Sequence, residues 1–307
     1  MPRPIIIDTD PGIDDAVAIL LALASPELDV LGLVAVAGNL PLAATARNAC
    51  SLVELAGRPD LPVHAGCPRA FGPRHTRAED HHGAAGLGDL VLPPPAVQPR
   101  PPHGVSWLID TLRAAAPGSI TLCALGPLTN IAVALVAAPE IAAAIAELVI
   151  MGGASYGRGN MTPAAEFNIF CDPQSASVVF DSGLPITLVP LDVTEGVRST
   201  PARIAPIRAL GTRCGDAVAA LIGPRRAQGL PPMAMHDPCV IAYLLAPELF
   251  RWREVNVAVE TGSPLSLGLT LIDWRGISGR KPNARVVEAV DADGVYRLLA
   301  ERIGRLP

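Results

Sequence analysis

Four carboxylates stand within eight residues near the start of the chain, in the stretch Asp8-Thr9-Asp10-Pro11-Gly12-Ile13-Asp14-Asp15. They follow directly after the apolar run Ile5–Ile7. Negative charges this close together repel one another, so the cluster is unfavourable unless something positive is bound to it. A hard cation with oxygen ligands is the natural candidate. Helix capping by Asp14 is the alternative, but a cap needs one aspartate and not four.

Polar groups also follow later strands of the predicted sheet. Asn39 comes after the second strand, in Ala37-Gly38-Asn39, where it is either a functional group or a plain turn residue. Gly126-Pro127-Leu128-Thr129-Asn130 follows the strand that ends at Leu125. A backbone carbonyl at this point could give a cation another oxygen ligand, or the segment could be a simple strand-to-helix turn.

Two further segments carry side chains suited to binding. His236-Asp237-Pro238 precedes an apolar helix, and Asp237 there is equally well explained as a helix cap. Glu166-Phe167-Asn168, with Asn160 upstream, would suit a polyol such as a sugar, or would be a solvated loop. Asp172-Pro173 has the same Asp-Pro pattern at the start of a predicted helix, and we expect Asp172 to be only a cap.

The elements that must position these residues alternate between strand and helix. Apolar runs predict strands at Ile5–Ile7, Val30–Ala37 and Pro62–Ala65, and helical spacing predicts helices over Asp14–Ala24 and Pro41–Gly57. A β-α-β-α-β order is typical of a parallel sheet with helices on its faces. In such sheets ligands bind beyond the carboxyl ends of the strands, where Asp8, Asp10 and Asn39 stand.

The alternation resumes after a long loop-like region, Gly66–Gly104, which is rich in Pro, Gly, His and Arg. Two or three helices are expected between Pro201 and Leu245. The other elements predicted are strands over Ile120–Leu125, Leu148–Met151, Ile186–Leu191, Val255–Val259 and Leu267–Ile272, and helices over Leu128–Ala137, Pro173–Ser182 and Ala292–Ile303. With no internal repeat and no clear linker, we expect one α/β domain over residues 1–307, with a mostly parallel, open, Rossmann-like sheet flanked by helices.

Composition excludes several classes of protein. The net charge is −5 with no basic run, which argues against nucleic-acid binding. Lys281 is the only lysine, so neither a Schiff-base mechanism nor a Walker-type phosphate loop is available elsewhere. The six cysteines form no C-x-x-C pair, which favours free thiols in a reducing compartment. The longest apolar stretch, Ala16–Ala24, falls short of the roughly 20 residues that span a bilayer, and Asp8 interrupts any signal peptide. We therefore expect a soluble cytoplasmic protein.

Taken together, the motifs resemble the nucleoside hydrolase family, of the inosine–uridine-preferring or pyrimidine ribonucleoside hydrolase type. The match covers nearly the whole chain in the right order. It rests on Asp8–Ala16, Ala37-Gly38-Asn39, His82-Gly83-Ala84-Ala85-Gly86-Leu87, Gly126–Asn130, Met151-Gly152-Gly153, Glu166-Phe167-Asn168, His236-Asp237-Pro238, and Thr270–Asp273 with Pro282-Asn283.

The resemblance implies one Ca²⁺ ion at the bottom of a pocket. Its ligands would be the carboxylates of Asp10, Asp15 and Asp237 and the carbonyl of Leu125, and the ribose 2′- and 3′-hydroxyls and one water would complete the coordination. Asp8 would support these ligands from behind. The positions that match the family's ribose-binding residues are Asp14, Asn39, Asn160, Glu166 and Asn168.

The resemblance also implies the reaction, hydrolysis of a ribonucleoside's N-glycosidic bond to ribose and free base. Asp10 would take a proton from the calcium-bound water, and the transition state would have oxocarbenium character. His236 would be the acid for the leaving base, and His82 would help in base recognition or proton delivery. Relatives often carry a tyrosine in the segment that should line the base pocket, where this chain has Gln228. Relatives are commonly homodimers or homotetramers, so a homo-oligomer is expected.

Two other functions remain open from the sequence. A phosphatase of the haloacid dehalogenase type also places Asp-x-Asp after an apolar strand, but it requires Thr or Val where Gly12 stands, and a lysine. A non-catalytic relative could have kept Ca²⁺ and ribose binding and lost turnover, although the intact Asp10 argues against this.

Overall fold

The central feature of the computed structural model is a nine-stranded sheet; the structure describes residues 1–72, 83, 85–155, 158–223 and 232–307. The strand order is β3-β2-β1-β4-β5-β6-β9-β7-β8. Every neighbouring pair is parallel except the two made by β7, which runs antiparallel to β9 and β8. The strands are β1 (Arg3–Thr9), β2 (Leu28–Ala35), β3 (Val63–Ala65), β4 (Ile120–Ala124), β5 (Ile145–Met151), β6 (Ile186–Val189), β7 (Phe250–Val259), β8 (Thr270–Asp273) and β9 (Ala284–Val290).

Helices connect the strands and cover the sheet. Two 3₁₀ turns, Pro139–Ala144 and Pro247–Leu249, precede β5 and β7. The α-helices of the described residues are α1 (Ile13–Leu23), α2 (Leu42–Leu55), α3 (Gly104–Ala114), α4 (Thr129–Ala137), α5 (Phe167–Cys171), α6 (Pro173–Phe180), α7 (Leu191–Thr194), α8 (Pro201–Arg208), α9 (Arg213–Leu221), α10 (Pro238–Leu245) and α11 (Ala292–Ile303).

Strand β1 illustrates why an unbroken apolar run forms the centre of the sheet. Successive side chains of a strand point to opposite faces. Ile5 and Ile7 accordingly join the hydrophobic core on one face, and Ile6 joins the core on the other. Helices cover both faces of the sheet, so a strand with apolar residues at every position has all of them buried.

Helix α1 is buried along almost its whole length, including its two aspartates. A helix that is apolar on all sides must lie inside the protein. It packs against α2, α9, α10 and α11, so its N-terminus is held rigidly at the end of β1. The carboxylates that open this helix are therefore fixed in place by the core beneath them.

The predicted fold class is confirmed: the sheet is mostly parallel and open, with helices on its faces. The β-α-β-α-β start is confirmed as β1-α1-β2-α2-β3, and the described residues between Pro201 and Leu245 form three helices. The predicted strand Ile186–Leu191 ends early at Val189, because Leu191 already opens α7 after Pro190. The helices α3, α5 and α7 and the strand β9 were not predicted. Strand β9 was missed because Arg285 and Glu288 interrupt its apolar residues.

The order of the strands creates a crevice. From β1 the chain builds outward to β2 and β3, then returns to the other side of β1 for β4, β5 and β6. Ligands bind outside the carboxyl ends of the strands at such a reversal. Separately, none of the helices in the described ranges is long and apolar enough to cross a membrane.

Candidate active site

The turn from β1 into α1 folds around the side chain of Asp15. Gly12 precedes the first helical residue, and its backbone N–H donates to Asp15 Oδ2 at 3.0 Å. The hydroxyl of Thr9 donates to Asp15 Oδ1 at 2.6 Å, and the Asp10 N–H donates to the same oxygen at 3.3 Å. Capping by Asp14, the simple structural alternative, is therefore wrong, because it is Asp15 that satisfies the free backbone donors.

Asp10 has one bonded and one unbonded carboxylate oxygen. Oδ2 accepts the Asn39 N–H at 2.6 Å, while Oδ1 is buried with no hydrogen-bond partner among the described residues. A Cβ at Gly38 would lie 2.1 Å from Oδ2, and one at Gly126 would lie 2.4 Å from Oδ1. Glycine is therefore required at both positions, because any side chain there would displace the carboxylate. Unpaired buried carboxylate oxygens are costly, which indicates a missing partner for Oδ1.

Asp14, Asp15 and Asp237 form a buried acidic cluster whose carboxylate oxygens lie within 4.8 Å of one another. Asp237 stands at the N-cap of α10 but makes no capping hydrogen bond. The proposal that it is merely a cap is therefore wrong, since its side chain turns to the other acids instead. Three convergent carboxylates are the donor set of a hard divalent metal. This cluster could hold one.

Burial and mutual repulsion disturb the protonation of these acids. Burial is the largest cause that raises the pKa of Asp15 to about 6, and the neighbouring Asp14 adds to it. Burial likewise raises the pKa of Asp10 and of Asp237 well above the ordinary range, with further increases from the surrounding aspartates. A bound cation would reverse this by favouring the ionised form of each carboxylate.

Asn39 and Asn168 bind the backbone and the acids around the cluster. The Asn39 amide donates to the Asp10 carbonyl and to Asp15 Oδ2, each at 3.2 Å. The Asn168 amide donates to the Leu125 carbonyl at 2.7 Å and to the Met151 carbonyl at 3.1 Å. Both side chains are buried, so Asn39 is more than a turn residue. The second lone pair of the Leu125 carbonyl remains available for another partner.

Glu166 opens the short helix α5 and is almost fully buried. Its carboxylate accepts the N–H groups of Asn168 (2.9 Å), Gly153 (2.9 Å) and Ile169 (3.2 Å). Burial outweighs these bonds and raises its pKa to about 7. The alternative of a solvated loop is wrong for Glu166 and Asn168, although Asn160 is exposed.

A pocket of about 250 Å³ joins these groups. Its deep part is made of buried residues, and half-exposed or exposed residues surround its opening. Lining it are Asp14, Asn39, Leu125, Met151, Glu166, Phe167, Asn168 and Asp237 in the deep part and Asn160, Met161, Glu195 and His236 around the opening. An acidic floor below a more open rim fits a ligand whose polar end enters first.

His236 lies on the rim next to the cluster. Its Nδ1 is 2.7 Å from the hydroxyl of Thr194, the last residue of α7. This contact joins the start of α10 to the segment after β6 and fixes the orientation of the imidazole. A histidine at this place can exchange a proton with a ligand in the upper part of the pocket.

Asp8 lies behind the cluster. Its Oδ2 accepts the Asn130 amide at 2.8 Å, its Oδ1 has no partner in the described part of the chain, and burial raises its pKa to about 8. Of the other residues predicted from the sequence, His82 and Gln228 lie outside the described residues. Asp172 is confirmed as a helix cap, because it accepts the Ser175 N–H at 3.1 Å.

Some residues of the site were not predicted from the sequence, among them Thr9, Met161 and Glu195. Thr9 binds Asp15, and Met161 and Glu195 line the pocket. Glu195 could have been found, because it follows β6 at the same edge of the sheet as the other site residues. Met161 gave no signal, since an isolated methionine in a polar loop has no pattern.

Comparison with known proteins gives a consistent result. The family model described as "Inosine-uridine preferring nucleoside hydrolase" matches residues 5–297. The chain is 46% identical to an uncharacterized protein of Schizosaccharomyces pombe and 43% identical to the pyrimidine-specific ribonucleoside hydrolase RihA of Salmonella arizonae, each over 99% of both chains. Among solved structures, it resembles an inosine-guanosine nucleoside hydrolase (TM-score 0.91, 30% identity, 99% of both chains) and a purine-preferring ribonucleoside hydrolase from Gardnerella vaginalis (TM-score 0.89, 30% identity, 98% of both chains).

Proposed function

The chain belongs to the inosine-uridine preferring nucleoside hydrolase family and is a ribonucleoside N-glycosyl hydrolase, and we propose that it works with one Ca²⁺ ion bound at the floor of the pocket. The observation that carries the proposal is the buried convergence of Asp14, Asp15 and Asp237, together with an Asp10 oxygen that has no hydrogen-bond partner among the described residues.

The donor set fits calcium. Carboxylate and carbonyl oxygens are what Ca²⁺ prefers, in shells of six to eight ligands. Asp10, Asp15 and Asp237 would supply carboxylates and Leu125 its carbonyl, which makes four ligands from the protein. Among the described residues, no cysteine or histidine belongs to the acidic cluster, which argues against zinc.

The polar residues around the cluster would hold the ribose. Asn39, Glu166 and Asn168 are immobilised by hydrogen bonds and packing, so little further entropy is lost when a sugar binds. Asp14 reaches the pocket from the first turn of α1, and Asn160 reaches it from the rim. With the sugar on the floor, the base would lie toward the rim.

The chemistry follows from these positions. Bound calcium would act as a Lewis acid, orienting the ribose diol and making a nearby water more acidic. Asp10 would accept the proton of the water that attacks the anomeric carbon. Asn168 and Glu166 would hold the ring as positive charge develops on it, as in other oxocarbenium-like transition states. His236 would give a proton to the departing base, and His82 would assist it there.

Which base is preferred is a finer question. The relatives named above are described with pyrimidine, purine and inosine-guanosine preferences, so family membership alone does not select one. The presence of both His82 and His236, as in the inosine–uridine type, favours uridine and inosine as the first substrates to assay. We further propose that the protein is a cytoplasmic homo-oligomer that serves nucleoside salvage.

The test is a panel of ribonucleosides assayed for free ribose, with Ca²⁺ and after exhaustive chelation. We expect ribose from at least one of uridine, cytidine, inosine and guanosine, loss of activity with EDTA, and recovery on adding Ca²⁺. 2′-Deoxyuridine should be a poor substrate, because one of the two chelating hydroxyls is missing. Undiminished activity after chelation would exclude the calcium assignment.

The two rival functions predict different results in the same assay. A haloacid dehalogenase-type phosphatase would release phosphate from a phosphoester and leave nucleosides intact. A non-catalytic relative would bind ribose in the presence of Ca²⁺ without releasing any base.

A further inference from the structure

The pocket has two chemically different levels. Its floor is formed by side chains less than a tenth exposed, among them Asp14, Glu166 and Asp237. On the rim, the lining residues in the described ranges are Asn160, Met161, Glu195 and His236, and of these only Glu195 is acidic. If the sugar occupies the floor, as in the proposed function on which this inference rests, the base faces the rim. Glu195 then stands beside the base and apart from the metal ligands.

Glu195 is held by its place at the end of α7 and by Arg198. It follows α7 directly, and Thr194 before it contacts Nδ1 of His236. Arg198 bonds Glu195 Oε2 through Nη2 and the Pro232 carbonyl through Nη1 at 3.0 Å. The carboxylate is therefore oriented by the same segment that leads into His236 and Asp237.

The backbone strengthens this connection. Ser199 N–H donates to the Met233 carbonyl at 2.8 Å, and Met235 N–H donates to the Val197 carbonyl at 2.9 Å. These bonds pair the chain after Glu195 with the chain before His236. Glu195 and His236 thus belong to two segments at the rim that are hydrogen-bonded to each other.

One oxygen of this carboxylate remains available. Oε2 is bound by Arg198, whereas Oε1 makes no hydrogen bond within the described part of the chain. A carboxylate oxygen accepts hydrogen bonds and donates none when ionised. It would bind a base edge that presents a ring N–H, as uracil and hypoxanthine do, and it would repel an edge that presents a bare ring nitrogen, as cytosine and adenine do.

We propose that Glu195 determines base specificity by accepting a hydrogen bond from the ring N–H of the base, which selects lactam bases such as uracil and hypoxanthine. A hydrogen bond to a charged partner in a site built for it gives discrimination of about tenfold or more against a substrate that lacks the donor.

The test compares uridine with 3-methyluridine, whose N3 carries a methyl group in place of the hydrogen. kcat/KM for ribose release is measured for the wild type and for Glu195→Ala. We expect the wild type to prefer uridine by about tenfold or more, and the variant to bring the two substrates within about threefold of each other, because the acceptor is gone and space is opened.

Glu195→Gln provides a second variant that keeps the size of the side chain. A glutamine amide can rotate and donate to a bare ring nitrogen, so we expect the ratio of kcat/KM for uridine to that for cytidine to fall by about tenfold. Glu140→Gln is the matched control, because Glu140 is also paired with an arginine, Arg113, but at the surface and outside the pocket lining. Its substrate ratios should equal those of the wild type.

The outcomes separate this inference from the proposed function. If the wild type releases ribose but Glu195→Ala discriminates against 3-methyluridine as strongly as before, the role of Glu195 is excluded and the hydrolase assignment stands. Equal use of both substrates by the wild type would exclude it as well. If no nucleoside yields ribose, the proposed function fails and this inference fails with it.

Discussion

Asp10 combines two properties that a general base needs: a fixed orientation and an unoccupied oxygen. The Asn39 N–H and the two neighbouring glycines hold its carboxylate, and Oδ1 faces no described partner. Asp237, by contrast, is the N-cap residue of α10, but its side chain makes no capping hydrogen bond and joins the acidic cluster instead. The acids of this pocket therefore have different surroundings although their residue type is the same.

Replacing Asp10 with asparagine should separate catalysis from folding. Asp10→Asn keeps the size of the side chain but cannot accept the proton of the attacking water. We expect kcat for ribose release to fall about 10²- to 10⁴-fold, the usual contribution of a general base, with little change in melting temperature. The control is Asp29→Asn, at an exposed position of β2, and hydrolysis at the wild-type rate by Asp10→Asn would refute the role.

Glu166 should make the metal-free protein less stable as pH rises. Its pKa is about 7 in the folded protein, above the ordinary 4.5, so the folded state binds the extra proton. Stability from this group is present below about pH 4.5 and is lost as pH rises through 7, by on the order of 3 kcal/mol.

Chemical denaturation between pH 5 and 8 with EDTA would measure this effect. The free energy of unfolding of Glu166→Gln should fall less with pH than that of the wild type, because glutamine does not titrate. Parallel pH profiles for the two proteins would contradict the raised pKa.

Helix α2 fixes the active-site turn from behind through one buried side chain. The amide of Asn48 donates to the Pro11 carbonyl at 3.1 Å and to the Ala85 carbonyl at 2.9 Å. It thereby joins the turn that follows Asp10 to the long connection after β3. In the same helix, the Glu54 carboxylate accepts the Val97 N–H, so residues 85–97 are attached to α2 at both ends of the segment.

Loss of the Asn48 amide should weaken metal binding although Asn48 is not a ligand. Groups that orient metal ligands typically contribute 10- to 100-fold in affinity. We expect Asn48→Ala to raise the Kd for Ca²⁺ by about tenfold in calorimetry. Asn256→Ala removes a hydrogen bond from the side-chain amide to the Lys281 carbonyl at the surface, and it should leave the Kd for Ca²⁺ unchanged. An unaltered Kd in Asn48→Ala would show that the turn needs no such support.

Much of the arrangement of the whole molecule follows from local sequence patterns. The apolar run Ile5–Ile7 and the alternation of strand and helix predict a parallel sheet, and the carboxyl ends of its strands give the position of the site. What local patterns cannot give is contact between distant segments. Asp237 reads equally well as a cap, and only the packing of α10 against α1 places it with Asp15. Glu195 differs, because its place after β6 could have been recognised from the sequence. What the sequence could not give is the contact of its partner Arg198 with the distant Pro232 carbonyl.

The most direct test of the site is calorimetric titration of the metal-free wild type and of Asp237→Asn with Ca²⁺. Asp237 is far from Asp10 and Asp15 in the sequence, so a single ion that binds all three tests directly whether folding brings them together. We predict one Ca²⁺ per chain in the wild type and affinity reduced by about 100-fold or more in Asp237→Asn, since the loss of a charged ligand exceeds that of a supporting group. Equal affinity in both proteins, or no binding by the wild type, would contradict a calcium site built from these carboxylates.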